Sequence, residues 1–201
     1  MIVIGLTGSI GMGKSATAAL FAEAGAAVYD ADAEVRRLYE PGGAAVAAVE
    51  TAFPGVVREG AVDRALLGQR VLGDPEALGR LNAIVWPMMR QARAAFLAEA
   101  EASGAPFAVL DVPLLLETGG ERAVDVVVVA SAPIEAQRAR VLARPGMSAA
   151  KFEAILAAQM TDAEKRARAH HVIDTSRGVE NARAQVTAIL AGLRHRPKQG
   201  Q

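Results

Sequence analysis

The chain has 201 residues, of which 52% are hydrophobic, and its 22 basic and 22 acidic side chains give a formal net charge of zero. This composition excludes a disordered chain, and the length suits one α/β domain with a small insertion. Because no overall charge would attract nucleic acid or an anionic membrane, we expect neither as a partner. Cysteine is absent, which excludes disulfides, thiolate metal sites and a cysteine nucleophile.

The first predicted element is the apolar run IVIGLT at 2–7, which indicates a buried strand. No charged segment precedes this run, and it breaks at Gly8. The pattern therefore predicts neither a signal peptide nor a membrane span, and we expect a cytoplasmic protein.

A phosphate loop follows the strand, because GSIGMGKS at 8–15 meets the pattern G-x-x-x-x-G-K-[ST]. Glycines at 8, 11 and 13 allow a tight turn that brings backbone N–H groups close to phosphate oxygens. The amphipathic stretch after the loop predicts a helix whose N-terminus adds a positive dipole end. Together these features predict a nucleotide site.

The side chains that close the loop predict how a nucleoside triphosphate is held. Lys14 can reach the β- and γ-phosphates, and the Ser15 hydroxyl can ligate the Mg²⁺ that bridges them. Met12 and Ala16 are expected to contribute mainly their backbone N–H groups.

Two carboxylates follow a second, brief strand at 27–29, on the sheet edge where the phosphate loop is expected. Asp30 and Asp32 stand where strand becomes helix. One interpretation is that one of them, most simply Asp30, N-caps the next helix. The other interpretation is that a carboxylate here faces the acceptor of the phosphoryl group.

The stretch from Pro41 to Gly104 has a helical pattern throughout, which is longer than a normal crossover. We expect a helical insertion over the edge of the sheet where ligands bind. Asp74-Pro75 predicts a helix start within it. The single tryptophan, Trp86, also falls here, either as a core residue or as an acceptor contact.

A third strand at 107–112 ends in Asp111, which resembles the Walker B carboxylate that holds Mg²⁺ directly or through water. Pro113 then forces the chain out of the strand. Glu117 follows in a leucine-rich loop, where it is either a solvated turn residue or part of the site.

Strands at 124–130 and 171–174 complete a predicted set of five, and alternation of strand and helix implies a doubly wound parallel sheet. Arg138, Arg140 and Arg144 recur at near-helical spacing between these two strands. They form either a solvated basic face or a lid whose arginines neutralise charge between the β- and γ-phosphates. Helix starts are expected at Ser148 and at the capping box Thr161-x-x-Glu164.

Because no guanine-reading N-K-x-D occurs in a sensible place, a GTPase switch is disfavoured and a small kinase is favoured. At this point the chain resembles the dephospho-CoA kinase family over nearly its whole length. The matching segments, in order, are LTGSIGMGKS at 6–15, DAD at 30–32, PGG at 41–43, VDRALL at 62–67, LNAI at 81–84, PLLLETG at 113–119, Q-x-x-R at 137–140 and DAEKRARA at 162–169.

The resemblance implies a single P-loop kinase domain over 1–201. Its parts are a core at about 1–40 and 105–193, an acceptor-covering insertion at about 41–104, an arginine-bearing lid at about 140–168 and a frayed tail at 194–201. It implies transfer of the ATP γ-phosphate to the ribose 3′-hydroxyl of dephospho-CoA, with Mg²⁺, by a monomer or weak homo-oligomer. A kinase of the same fold acting on another alcohol or nucleoside-type acceptor is the alternative.

The resemblance also implies residue roles. Asp32 would be the base or hydroxyl-orienting group, Lys14 the phosphate clamp, and Arg140 with Arg144 the lid arginines. Leu114 and Glu117 in the PLLLETG segment would bind the acceptor.

Three positions depart from the family pattern. Ala16 stands where a threonine is usual, Trp86-Pro87 replaces a frequent His-Pro, and His170-His171 replaces acidic residues. Adjacent histidines on a strand point to opposite faces, which disfavours a joint metal site.

Overall fold

The structure, a computed structural model, describes residues 1–194, so the predicted frayed tail lies outside the described residues apart from Arg194. The chain forms two compact units: residues 1–29 with residues from 100 onward, and Asp30–Glu99. Within the described range, no helix is long and apolar enough to cross a membrane.

Seven strands are present in the described part of the chain: β1 Ile2–Thr7, β2 Ala27–Asp30, β3 Val57–Arg58, β4 Ala61–Val62, β5 Phe107–Asp111, β6 Val126–Ser131 and β7 His171–Asp174. Five of them form the main sheet, in the order β2-β5-β1-β6-β7. β1 pairs in parallel with β5 and β6, and β6 pairs in parallel with β7. The predicted five-stranded sheet is therefore confirmed, with strand ends within two residues of those expected.

Both faces of this sheet are covered, as the β-branched run of β6 requires. Val126 and Val128 belong to the hydrophobic cluster that contains Phe21 and Leu190, from the helices α1 Lys14–Glu23 and α9 Val179–Arg194. Val127 and Val129 point the other way and join a second cluster. Because alternate side chains are buried on opposite faces, the strand is apolar at every position rather than at every second one.

Three helices and a 3₁₀ turn complete the sheet unit: η1 Gly120–Ala123, α6 Ile134–Leu142, α7 Ala149–Ala157 and α8 Asp162–Ala167. The predicted helix starts are confirmed. Ser148 accepts from Lys151 N, and Thr161 forms the capping box with Glu164. These caps satisfy N–H groups that have no partner inside the helix.

The second unit contains the helices α2 Ala31–Tyr39, α3 Val46–Ala52, α4 Arg64–Val71 and α5 Pro75–Ala102, of which the last extends beyond the unit. Asp74 caps α5 by accepting from Glu76 N and Ala77 N, as expected. The unit has its own hydrophobic cluster, built around Val49, Val56 and Leu67.

The expectation that this region is entirely helical is wrong, because β3 and β4 form an antiparallel hairpin. Glu59 (φ 52°) and Gly60 (φ 80°) both take the left-handed conformation that a two-residue hairpin turn requires. Glu50 supports the loop before the hairpin by accepting from Gly55 N and Val57 N, and these hydrogen bonds hold the pKa of its carboxyl below the usual value. The strands have two residues each, too short to show a period-2 pattern.

The core interpretation of Trp86 is also wrong. Its side chain lies on α5 with 54% of its surface exposed. The neighbouring residue, Pro87, lies inside the same helix.

Candidate active site

The phosphate loop joins the end of β1 to the start of α1 and needs glycine for two different reasons. A Cβ on Gly8 would lie 2.6 Å from the Ala130 carbonyl oxygen. Any side chain at this position would therefore clash with the backbone of β6. Gly13 is the N-cap of α1 with φ 83°, a conformation that L side chains rarely adopt. The loop is thus closed against β6 at one end and turned into the helix at the other.

Lys14 and Asp111, predicted separately as a phosphate clamp and a metal ligand, form an ion pair with 2.6 Å between Nζ and Oδ1. Lys14 is the first residue of α1, and Asp111 ends β5 opposite Leu6 of β1. Their side chains are only 12% and 3% exposed. The register of β5 with β1 therefore places the Asp111 carboxylate beside the phosphate loop, where it contacts the Lys14 ammonium group.

The other predicted loop residues differ in exposure. Ser15 and Ala16 are exposed on the first turn of α1, whereas Met12 is buried. The Met12 N–H, expected to face phosphate, here donates to the Ser9 carbonyl at 3.1 Å. Gly11 has no room for a side chain, because a Cβ would lie 2.5 Å from Val141 Cγ2.

Arg140 is the predicted lid arginine that reaches the loop. From α6 its guanidinium donates to the Gly11 carbonyl at 3.4 Å, to Thr175 Oγ1 at 2.9 Å and to the Thr175 carbonyl at 2.6 Å. Thr175 Oγ1 in turn donates to the Met12 carbonyl at 2.9 Å. The structure therefore fixes this cation at the junction of the loop, α6 and the end of β7.

The two neighbouring arginines are placed differently. Arg138 forms an exposed ion pair with Glu153 of α7 at 3.6 Å. Arg144 is exposed two residues beyond α6. Of the three, Arg140 is the one held at the phosphate loop, and the exposed pair of Arg138 agrees with the solvated-face interpretation for that residue. The lid role of Arg140 and Arg144 stays a prediction.

Two glutamines that were not predicted as site residues bind the backbone of the first half of the phosphate loop. Gln137 Nε2 donates to the Ile10 carbonyl at 2.7 Å, and Gln159 Oε1 accepts from Ile10 N at 3.1 Å. Ser9 Oγ also donates to the Met160 carbonyl at 3.4 Å. Gln137 is the first residue of the Q-x-x-R segment, which could have indicated its role. Gln159 lies in no motif of the sequence.

Glu117 is not a solvated turn residue, which corrects one of its two interpretations. Its Oε1 lies 2.8 Å from Lys165 Nζ and accepts from Met160 N at 3.0 Å. Burial raises the pKa of this carboxyl, but the hydrogen bonds from Lys165 and the Met160 backbone outweigh burial and leave the pKa lowered. Glu117 is therefore an anion built into the protein.

The two carboxylates after β2 have separate positions. Asp30 accepts from Ala33 N at 2.9 Å and is the N-cap of α2, which confirms that interpretation for this residue. Asp32 lies in the first turn of α2 and is exposed. Leu114, in the segment after β5, is 41% exposed.

A cavity of about 610 Å³ lies beside the phosphate loop in the sheet unit. Ser9 and Met12 line it from the loop, Gln137 from α6 and Asp162 from α8. Its volume is within the range of small-molecule pockets.

A phosphate loop between the first sheet strand and its helix, a buried Lys–Asp pair and an arginine anchored at the loop define a P-loop kinase-type phosphotransferase. The comparisons with known proteins agree. The sequence model of the dephospho-CoA kinase family matches residues 2–181. A dephospho-CoA kinase of Rhodopseudomonas palustris (strain BisB18) is 60% identical over 198 residues, which cover 98% of each chain.

Two solved structures extend the likeness to the fold. TT1252 from Thermus thermophilus superposes with a TM-score of 0.84 at 37% identity, covering 96% of this chain and 97% of that one. Dephospho-CoA kinase from Campylobacter jejuni has a TM-score of 0.64 at 21% identity, covering 95% and 96%, which supports the fold alone. The chain belongs to the dephospho-CoA kinase family, so the predicted family and kinase class are confirmed.

Proposed function

We propose that this protein transfers the γ-phosphoryl group of ATP to the ribose 3′-hydroxyl of dephospho-CoA, giving CoA and ADP. The observation that carries the proposal is the Lys14–Asp111 pair beside a complete phosphate loop, in a chain of this family. We also propose that the protein acts in the cytoplasm as a monomer or weak homo-oligomer, without a nucleic-acid partner.

On the nucleotide side, the loop amides and Lys14 bind the phosphates. Arg140, held beside the loop by Thr175, supplies positive charge where negative charge develops between the β- and γ-phosphates. Arg144 joins it from the lid. Because the transition state of phosphoryl transfer is loose, positioning and charge neutralisation account for most of the catalysis.

Ser15 and Asp111 would hold Mg²⁺, Asp111 directly or through water. A hydroxyl and a carboxylate are the hard oxygen donors that Mg²⁺ prefers, and this ion commonly takes one or two protein ligands together with phosphate oxygens. When bound, Mg²⁺ neutralises charge on the β- and γ-phosphate oxygens.

On the acceptor side, Asp32 orients the ribose 3′-hydroxyl and accepts its proton. The new bond forms between the 3′-oxygen and the γ-phosphorus, while the bond from that phosphorus to the β,γ-bridging oxygen breaks and ADP leaves. Leu114 contributes exposed apolar surface. Glu117 belongs to the same segment and is the second acceptor-side residue; its Oε1 is held by Lys165 and Met160 N.

The direct experiment incubates the protein with Mg-ATP and dephospho-CoA and measures ADP and CoA by chromatography. We expect one CoA for each ADP. Other alcohols and nucleosides, shikimate and adenosine among them, serve as competing acceptors in parallel reactions. Faster phosphorylation of any of these would assign the site to that acceptor instead.

A further inference from the structure

Lys165 is a charged side chain with 0% exposure for which the proposed chemistry has no role. It lies on α8, 150 residues beyond the end of the phosphate loop in sequence. A buried ammonium group loses its hydration, and only good hydrogen bonds and a counter-charge offset that cost. The hydrogen bonds and the ion pair of Lys165 therefore show which segments of the protein it connects.

One partner is the turn that leaves β5. Lys165 Nζ donates to the Pro113 carbonyl at 3.1 Å, and Thr7 Oγ1 donates to the same oxygen at 2.9 Å. Pro113 follows Asp111 by two residues, and Thr7 directly precedes the phosphate loop. Two donors from different elements thus fix the turn that directly follows Asp111.

The other partner is Glu117, which connects Lys165 to the Gln159–Met160 segment before α8. Its Oε1 receives both Lys165 Nζ at 2.8 Å and Met160 N at 3.0 Å. The Met160 carbonyl accepts from Ser9 Oγ, and the preceding Gln159 accepts from Ile10 N. A continuous set of hydrogen bonds therefore runs from Lys165 to the first half of the phosphate loop.

We propose that Lys165 is a positioning residue for phosphoryl transfer, which holds the turn after Asp111 and the Gln159–Met160 segment in register with the phosphate loop. The inference deepens the proposed function and rests on it. Reacting groups displaced by about 1 Å can lose around a hundredfold in rate, so a residue that sets this register acts on turnover without contacting substrate.

The test compares Lys165→Met with the double variant Lys165→Met/Glu117→Gln. The single variant leaves Glu117 buried without its cation, so its melting temperature is expected to fall. Neutralising Glu117 in the double variant is expected to restore most of the melting temperature. The kcat of the folded protein is expected to be at least about tenfold low in the single variant relative to wild type, and in the double variant relative to Glu117→Gln alone. The KM for ATP is expected to change less than about threefold in both comparisons.

Lys151→Met is the matched control, because Lys151 is exposed on α7, in the same lid region. It should keep both kcat and melting temperature. A stable double variant whose kcat equals that of Glu117→Gln alone would show that Lys165 only stabilises the fold and would overturn the proposal.

Should the Lys165 variants not fold, Gln159→Leu tests the same connection from its partly exposed end. We expect its kcat to fall at least about threefold at an unchanged melting temperature, and an unchanged kcat would refute the positioning role. If the wild-type protein makes no CoA, the proposed acceptor is wrong. The comparison of variants is then made on basal ATP hydrolysis, which uses the nucleotide side of the site and no acceptor.

Discussion

At the scale of single residues, the two aspartates after β2 allow a matched comparison. Asp32→Asn keeps the size of the side chain but loses the charge that accepts the hydroxyl proton. We expect turnover to fall by about 10² or more, the usual scale for a general base, with ATP and dephospho-CoA affinities kept within about tenfold. Turnover and binding are measured on the same preparation by coupled assay and calorimetry.

The control for this variant is Asp30→Asn. Asp30 caps α2, and asparagine caps a helix as well as aspartate does, so this change should be nearly silent. Preserved turnover in Asp32→Asn would remove Asp32 from the chemistry.

Glu117 provides a prediction about pH. Burial raises the pKa of its carboxyl, but hydrogen bonds from Lys165 and Met160 leave it below the ordinary value of 4.5. A carboxyl whose pKa is lower in the folded state stabilises the protein above its unfolded pKa, and this contribution is lost as pH falls through the folded pKa. The difference in unfolding free energy between wild type and Glu117→Gln should therefore shrink as pH falls below about 4.5.

Urea unfolding of both proteins at pH 6.5 and at several values down to pH 3 measures this difference. Other carboxyls with lowered pKa, such as Glu50 and Asp174, are present in both proteins and cancel. A difference that stays constant with pH would show that Glu117 does not titrate with folding.

Residues of the phosphate loop could be predicted because their chemistry depends on near neighbours in sequence. The glycine spacing and Lys14 lie within eight residues, and the loop amides follow from that spacing. The contact between Lys14 and Asp111 is different, since it joins residues 97 apart and depends on the register of β1 with β5. The burial of Lys165 could not be predicted either, since a lysine in a charged helix normally indicates a solvated face.

At the scale of elements, α6 carries Arg138 and Arg140 in different environments, and Arg144 follows the helix by two residues. Arg140→Ala removes the charge beside the loop, and we expect a fall in kcat of about 10² or more with a smaller effect on ATP affinity, since the charge acts chiefly in the transition state. Arg144→Ala should lower kcat too, but with no change in melting temperature, because the side chain is exposed. Steady-state kinetics and nucleotide binding separate the two effects.

Arg138→Ala is the control on the same helix, because its ion pair with Glu153 is exposed and such pairs contribute at most about 1 kcal/mol. Its kinetics should match those of the wild type. If Arg140→Ala weakens ATP binding while kcat is unchanged, Arg140 binds ground-state nucleotide only.

The helix α5 carries the only tryptophan of the chain, which makes acceptor binding measurable by fluorescence. Because Trp86 is 54% exposed, a ligand that covers it should change its emission intensity and wavelength. We expect a saturable change on titration with dephospho-CoA and none with adenosine. A flat titration at concentrations where calorimetry shows binding would place the acceptor away from Trp86.

Elements were predicted well where a long pattern or a cap defined them. The five sheet strands and the starts at Asp74, Ser148 and Thr161 all occur as expected. The hairpin of β3 and β4 was missed because its turn uses glutamate at a left-handed position, where glycine or asparagine is the usual signal. The sequence left two interpretations of Trp86 open, and its exposure excludes the core one, although a large aromatic in a helix is more often buried.

At the scale of the whole molecule, the described residues form separate hydrophobic cores in the two compact units, with two clusters in the sheet unit and one in Asp30–Glu99. The sequence indicated an insertion at about 41–104 from its helical pattern, whereas the compact unit spans Asp30–Glu99. The difference at the first boundary has a simple cause: α2 follows β2 without a loop, because Asp30 both ends the strand and caps the helix. The sequence pattern does not show which core α2 joins. In the structure, Leu38 and Tyr39 of α2 belong to the hydrophobic cluster of the Asp30–Glu99 unit.

Nucleotide binding should stabilise the folded chain by mass action, and Lys14 should control that stabilisation. At a concentration of Mg-ATP 100 times its dissociation constant, a ligand specific for the folded state adds about 2.7 kcal/mol, which raises the melting temperature of a domain of this size by about 5–10 °C. Lys14→Ala should melt at a lower temperature than wild type, because Asp111 loses its buried partner, and should gain almost nothing from Mg-ATP. Differential scanning calorimetry with and without nucleotide measures both effects, and Lys151→Ala, which changes an exposed lysine, should respond to Mg-ATP as the wild type does. An equal gain in Lys14→Ala would mean that the nucleotide binds away from the phosphate loop, and the assignment of Lys14 as the phosphate clamp would be wrong.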